Sequence, residues 1–316
     1  MREHDFDFDL PERRRGKRRF DDDTPRPTRR GRLTEEARGL LAQQRADAED
    51  AIGDPLPEGA DRWSTWGDGD LGPTPRPDWL ITEAAAVDYE LGPVKTGKEA
   101  DVHLVRRSLP GSDRTTLLAA KRYRSNDHRM FHRDAGYLEG RRLRKSREMR
   151  AIATRTTFGR NLIAEQWAVA EFVALSRLWT VGAPVPYPVQ RTGTELLLEF
   201  LGDDEGAAAP RLAQLRPVGP QLRDLWYQLG AALRALASLG LAHGDLSAYN
   251  LLVHEDRLML IDLPQVVDVV ANPRGPEFLA RDVRNITSWF AGRGLPVEMS
   301  DADGLIAELL AEAGMG

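Results

Sequence analysis

His243-Gly244-Asp245-Leu246-Ser247-Ala248-Tyr249-Asn250-Leu251-Leu252-Val253, followed by Leu258-Met259-Leu260-Ile261-Asp262, is the stretch on which the fold turns. Two short apolar runs, Leu251 to Val253 and Leu258 to Ile261, flank the polar break His254-Glu255-Asp256-Arg257, which reads as a hairpin turn. Closing that hairpin puts Asn250, just before the first strand, beside Asp262, just after the second. Asp245 sits one loop upstream. Two carboxylates and an amide converging on one end of a hairpin are hard oxygen groups, suited to Mg²⁺ held between protein and phosphate. Phosphoryl transfer uses such a set: one Asp orients the attacking hydroxyl, while an Asn and a second Asp hold the bridging metal. A plain polar turn would use the same residues, so the flanking sequence has to discriminate.

Working outward, the 316-residue chain has room for one two-lobed domain or two small ones. Its net charge of −5 and pI near 5.8 argue against a bulk nucleic-acid binder, so any basic patch must be local. There are no cysteines, which excludes disulfides, cysteine zinc sites and thiol catalysis. No apolar run approaches the roughly 20 residues of a membrane helix. The stretch Met1-Arg2-Glu3-His4-Asp5-Phe6-Asp7 carries no signal-peptide core. The expectation is a soluble, cytoplasmic protein with no membrane partner.

Residues 1–75 are expected to form a largely disordered, charged extension. They contain the run Arg13-Arg14-Arg15-Gly16-Lys17-Arg18-Arg19, then Asp21-Asp22-Asp23, and too little apolar surface to offset the entropy of ordering. One helix, from Glu35 to about Ala51 with Thr34 as its cap, is predicted within them. Trp63 and Trp66 stand among Gly, Asp and Pro. The basic run either binds RNA through phosphate or is a solvated tail.

Order is expected from near Pro77. Leu91 to Val94 and Ala100 to Val105 read as strands around the turn Lys95-Thr96-Gly97-Lys98-Glu99, whose backbone amides can cover phosphates. An ordinary hairpin is the other reading. Thr115 to Tyr123 is a third strand, with Lys121 beside the run Leu117-Leu118-Ala119-Ala120. A lysine there needs an anionic partner. The following helix, about Leu162 to Val181, places Trp167, Glu171, Leu175 and Leu178 on one face. A strand lysine and a helix glutamate, each misplaced alone, explain one another as an ion pair of the kind that positions phosphates in protein kinases.

Between them lies a cationic segment, with Arg129, Arg133, Arg141, Arg142, Arg144, Lys145, Arg147, Arg150, Arg155 and Arg160. It is either a solvated excursion or a grip for RNA or an acidic partner. Glu195 to Gly202 is an apolar strand ending in a hinge whose backbone can bond adenine. Leu222, Leu225, Trp226, Leu229, Leu233 and Leu236 form a helical stripe ending at Gly240. Two closing helices are predicted, from about Glu277 to Ala291 and from Ser300, as N-cap, to about Glu312.

Glycine turn, strand Lys121, helix Glu171, hinge, His243-Gly244-Asp245…Asn250 and Asp262 stand in protein-kinase order. More narrowly, the sequence resembles the RIO family of atypical serine/threonine kinases, as a bacterial-type member. The motifs are Thr96-Gly97-Lys98-Glu99-Ala100-Asp101-Val102, Ala120-Lys121, Ala170-Glu171-Phe172, Leu198-Glu199-Phe200 with Ala209-Pro210-Arg211-Leu212, His243 to Asn250, Ile261-Asp262-Leu263-Pro264-Gln265 and Glu277-Phe278-Leu279-Ala280-Arg281-Asp282. They cover about residues 90 to 290.

The resemblance implies an α+β, two-lobed kinase-like fold. It divides into a β-rich N-lobe over 76–201, with a flexible cationic loop at 124–160, and a reduced helical C-lobe over 202–316. It implies ATP with Mg²⁺, or Mn²⁺ as an alternative, and a Ser/Thr protein substrate that the sequence does not identify. Asp245 is then the catalytic aspartate, Lys121 contacts the α/β-phosphates and Glu171 fixes it, while Asn250 and Asp262 hold the metal. Thr96, Gly97, Lys98, Glu99 and Val102 cover the nucleotide, and Glu199, Phe200 and Leu201 take its base. In this family the metal-binding aspartate, matching Asp262, can itself be phosphorylated, autophosphorylation occurs, and some members act as ATPase switches in small-ribosomal-subunit maturation. Contact with ribosomal RNA or a pre-ribosome would run through the basic segments.

Three residues depart from the family pattern: Asp101 for a usual Asn, Pro264 for a small polar residue, and Gly244, rather than Arg, after His243. His243 itself reads as structural, holding the loop. Asp262 is followed by 54 residues, too few for an activation segment and a full peptide-binding lobe. The enzymatic rival is a small-molecule phosphotransferase of the aminoglycoside or choline kinase type, which shares His-Gly-Asp-Leu. The rival from another class is a non-catalytic RNA- or ribosome-binding assembly scaffold that uses ATP only for stability.

Overall fold

Period-two burial builds the first lobe. The computed structural model describes residues 55–124 and 157–315, with side chains from 163 onward in the second stretch. Seven strands form one sheet: Arg62–Trp63 (β1), Asp70–Leu71 (β2), Val87–Thr96 (β3), Ala100–Ser108 (β4), Thr115–Tyr123 (β5), Pro188–Thr192 (β6) and Glu195–Glu199 (β7). Their order is β1-β3-β4-β5-β7-β6-β2, and every pairing is antiparallel. Lys121 is thereby registered between Val102 on one side and Leu196 on the other.

The outermost strands correct the sequence reading, which put residues up to 75 in a disordered extension. β1 pairs with Val87–Asp88 and β2 with Gln190–Arg191, so the segment from 55 to 75 covers both edges of the sheet. Its charges find fixed partners. Arg62 lies 3.3 Å from Asp88 and 2.9 Å from Glu195, and Asp70 pairs with Arg191 at 2.5 Å. Gln190 donates to the Thr65 carbonyl at 3.0 Å, and Trp66 packs on the cluster of Leu80, Val105, Leu118 and Tyr187. Backbone pairing at an exposed sheet edge needs no hydrophobic run in the added strand, which is why composition missed it. The Glu35–Ala51 helix, the run at 13–19 and the cationic residues from 129 to 155 lie outside the described residues.

Helix α1, Thr157–Thr180, begins five residues earlier than the apolar pattern predicts. Its predicted stripe is buried, with Trp167 8%, Glu171 1%, Leu175 1% and Leu178 0% exposed. In the second lobe, helix α2 (Gly219–Ser238) buries the predicted leucine stripe. It leads to the strand Leu241–Ala242 (β8), paired with Val267–Asp268 (β11). Between these two strands stands the hairpin, Leu251–His254 (β9) and Arg257–Leu260 (β10), with Arg257 opposite His254.

The hairpin turn is therefore only Glu255-Asp256, and both residues have positive φ, 49° and 60°, the backbone that a two-residue hairpin requires. Gln228 on α2 holds it, donating to the Asp256 carbonyl at 2.9 Å and accepting from Leu258 N at 2.7 Å. Helices α3 (Gly275–Ala291) and α4 (Ala302–Glu312) close the described chain. The cap of α4 is Asp301, whose carboxylate accepts from Gly304 N at 3.0 Å. Ser300, the predicted cap, instead donates to Val297 O. One core of buried side chains, from Trp167 and Leu196 through Leu229 and Leu258 to Phe290, runs through both lobes.

Candidate active site

The pairing in β5 turns Lys121 inward, where only 8% of it is exposed. Its ammonium lies 2.7 Å from Glu171 on α1 and 2.8 Å from Asp262 Oδ1. Burial pulls the lysine pKa down, but the two carboxylates more than reverse this, and the net shift is upward. Glu171 is buried without being stranded. Besides Lys121 it accepts from the Tyr123 hydroxyl and from Leu263 N, at 3.1 Å for the latter. The sequence reading missed Tyr123, which stands two residues beyond the lysine on the same strand face, and whose own pKa is raised by burial and by Glu171.

Asp262 follows β10 in a left-handed backbone, φ 66°. A non-glycine residue there costs about 1–3 kcal/mol unless its surroundings fix it. The Lys121 ammonium provides that hold and keeps the Asp262 carboxyl at about 2, against its partial burial. His243 Nε2 bonds the Ile261 carbonyl at 3.1 Å, directly before Asp262. Asn250 is tied in from the other side: its carbonyl accepts from Ile261 N at 3.1 Å, and its Nδ2 donates to the Asp245 carbonyl at 2.8 Å.

These bonds leave Asn250 Oδ1 and Asp262 Oδ2 available as hard oxygen donors, which fits Mg²⁺. The ion characteristically takes one or two protein ligands and completes its shell with phosphate and water. Among the described residues no cluster of three or more His, Asp or Glu could hold a metal on its own.

Asp245 is exposed, and the amides on both sides of it are fixed. Gly244 N and Leu246 N donate to the two oxygens of Asp282 on α3, at 2.6 and 3.2 Å, and Arg281 donates to the Gly244 carbonyl. Asp282 is buried, with 2% exposed. The glycine after His243 also has a local cause. Gly244 has φ +84°, and a Cβ there would stand 2.0 Å from the Gln265 carbonyl oxygen, so no arginine fits. The second departure is neutralised in the same way. Asp101 forms a two-pronged ion pair with Arg124, so its charge is compensated at the edge of the glycine turn.

Between the lobes lies a cavity of about 650 Å³. Of the residues named from sequence, Gly97, Lys98, Glu99, Val102, Lys121, Glu171, Glu199, Phe200, Leu201 and Asp262 line it, while Thr96, Asp245 and Asn250 do not. Gly97 makes the turn tight, its N–H donating to Ala100 O at 3.0 Å. Glu199 accepts from Tyr187 N at 2.9 Å, and burial raises its carboxyl pKa. Ala119, Leu198, Leu252 and Ile261 give the cavity an apolar slot. Lys95 and Arg211, given no role from the sequence, also line it.

A family profile for the RIO domain matches residues 113–302. The RIO-type serine/threonine-protein kinase Rio1 of Haloferax volcanii is 34% identical over 228 residues, 72% of this chain and 70% of that one. Serine/threonine-protein kinase RIO1 of Chaetomium thermophilum is 33% identical over 213 residues, 65% of this chain and only 40% of its own length. Among solved structures, the Rio2 kinase–ADP/Mg²⁺–phosphoaspartate complex from Chaetomium thermophilum is 21% identical, with a TM-score of 0.46, covering 70% of this chain and 65% of that one. With the profile spanning more than half its length, the chain belongs to the RIO family of serine/threonine protein kinases.

Proposed function

We propose that the chain transfers the γ-phosphoryl group of ATP to a serine or threonine hydroxyl, or to water, with Asp245, Lys121 and Asp262 carrying the reaction. The observation behind this is the chain of contacts Glu171–Lys121–Asp262, at 2.7 and 2.8 Å, in the wall of an interlobe cavity with one apolar slot. The slot and the backbone at Glu199 to Leu201 receive the base. Thr96 to Glu99 and Val102 cover the phosphates, and Lys121 contacts them while Glu171 holds its ammonium in place. Asn250 and Asp262 would hold Mg²⁺, which would supply positive charge against the charge that develops in phosphoryl transfer. Asp245, oriented by the amides bound to Asp282, accepts the proton of the attacking hydroxyl.

The division into an N-lobe over 76–201 and a C-lobe over 202–316 is part of this reading, with the strands at 62–63 and 70–71 added to the first. Phosphorylation of Asp262 itself belongs to it as well, as does a cytoplasmic location. Among the described residues no helix is long and apolar enough to cross a membrane. Contact with ribosomal RNA or a pre-ribosome is proposed on charge alone, since the two arginine-rich runs lie outside the described residues.

The test is mass-spectrometric mapping of phosphate after incubation with Mg-ATP, run beside Asp262→Ala and Asp245→Asn. We expect phosphate on the protein or released as inorganic phosphate by the wild type, and none from Asp262→Ala. Asp245→Asn should be slowed about 10²-fold or more with ATP binding retained, as loss of a general base does. Wild-type turnover by Asp262→Ala would sink the metal assignment, and collapse of nucleotide affinity in Asp245→Asn would make Asp245 a structural residue.

A further inference from the structure

Two cations of the cavity wall play no part in the reading above. Lys95 lies near the end of β3, opposite Val102 in the ladder, and both line the cavity. Arg211 reaches the same cavity from the second lobe, on the segment that follows the hinge. Its backbone is bridged to Leu252, and its guanidinium donates to the Tyr249 carbonyl, on the loop between Asp245 and Asn250. That acceptor is a neutral carbonyl, not a carboxylate. Lys121 is different, since two carboxylates already compensate it.

Lys95 and Arg211 therefore present like charges from opposite lobes. The ammonium feels this. Its pKa is lowered by burial and then by Arg211, against the opposing pull of Asp262. Like charges brought together in a partly desolvated site favour an anion between them. The apolar side chains of the slot offer an anion no partner, and Lys121 is already matched by Glu171 and Asp262. What remains for an anion is the part of the wall that Lys95 and Arg211 line.

We propose that Lys95 and Arg211 form a clamp across the lobes that grips the terminal phosphates of a bound nucleoside triphosphate and so counts phosphates. The clamp rests on the kinase reading and extends it from nucleotide binding to phosphate-number discrimination. Arg211 supplies a planar fork that matches phosphate oxygens, whereas Lys95 supplies a point charge on a flexible stem. An anion held by both would also tie the glycine turn to the loop carrying Asp245 and Asn250. Phosphate binding and closure of the two lobes would then be one event.

The experiment is calorimetric titration of the full chain with Mg-ATP, Mg-ADP and adenosine, for the wild type, Lys95→Gln, Arg211→Gln and the double variant. Each single change should weaken Mg-ATP by about 10-fold or more, the size of one lost charge-assisted contact. Mg-ADP should weaken less, and adenosine should change by no more than about 2-fold, within the roughly 0.4 kcal/mol that such a ratio represents. Arg211→Lys keeps the charge while giving up the fork and should fall between wild type and Arg211→Gln. Equal weakening for all three ligands would mean that the changes disturb the fold, and would overturn the clamp. So would Mg-ATP binding that the variants leave untouched, although the kinase reading would then survive. A wild type that binds no Mg-ATP would overturn both.

Discussion

The interaction between Lys121 and Glu171 can be tested independently of any activity. The side chains are 10% and 1% exposed, with 2.7 Å between charged atoms. At an effective dielectric constant of about 20, such a pair attracts by roughly 6 kcal/mol before desolvation is subtracted. Most of that is offset by taking two charges out of water, so the informative quantity is the cost of leaving one without its partner, about 3–5 kcal/mol for a buried pair.

For Glu171→Gln the lower end applies, because Asp262 still holds the ammonium at 2.8 Å. A loss of about 3 kcal/mol lowers the melting temperature of a domain of this size by roughly 6–12 °C. Lys121→Met should cost a similar amount. It leaves Glu171 charged and buried with only neutral donors, the Tyr123 hydroxyl and Leu263 N.

The double variant removes both charges, so its loss should fall short of the sum by about 0.5–3 kcal/mol, the usual coupling of contacting residues. Urea denaturation of the four proteins, followed by circular dichroism without nucleotide, measures this directly. Additivity within about 0.5 kcal/mol would refute the pairing, since that is the behaviour of distant, independent sites. The assembly of the first lobe around Lys121 would fall with it.

Two further outcomes are expected. Asp282→Asn should lower kcat by about 10-fold or more, while the dissociation constant for Mg-ATP changes little. One of its two oxygens becomes an amide donor facing a backbone N–H, and a hydrogen bond to a charged group is worth about 1.5–3 kcal/mol; unchanged steady-state kinetics would show that Asp245 is oriented by something else. If the basic runs at 13–19 and 129–160 contact RNA phosphates, binding to ribosomal RNA should weaken with a log–log salt slope of about −0.7 to −0.9 per phosphate neutralised. Affinity that does not move between about 50 and 200 mM salt would remove RNA contact from the proposal.

What the sequence made legible was local and periodic. The apolar runs around Glu255-Asp256 define a hairpin, and the stripe Trp167, Glu171, Leu175, Leu178 defines a buried helix face. In each case the signal lies within a few turns or strands of itself. The Lys121–Glu171 contact was readable across 50 positions because each residue is costly alone in an apolar setting. Chemistry that satisfies a group already accounted for leaves no such trace. Tyr123 is an ordinary strand aromatic until its hydroxyl meets Glu171. Asp282 is an ordinary helix carboxylate until Gly244 N and Leu246 N, 38 and 36 residues upstream, donate to it. The strands at 62–63 and 70–71 were hidden for a related reason: they join the sheet through backbone pairing and ion pairs, neither of which has a hydrophobic period.

Asp101 shows how the same limit can mislead about charge. In the sequence it adds a carboxylate to the turn that covers phosphates, where an anion would oppose binding. In the fold, Arg124 takes that carboxylate with its guanidinium and donates its own N–H to the Glu99 carbonyl at 2.9 Å. The pair is only partly buried, with side-chain exposures of 31% and 20%, so its contribution to stability is small. Its positional effect is larger. Arg124 is the residue at which the chain leaves β5 for the cationic segment, and it grips both the entry of β4 and the turn before it. The departure from the family pattern therefore arrives with its own compensation. The positive charge left facing the cavity, on Lys95, Lys98 and Arg211, is not diminished by it.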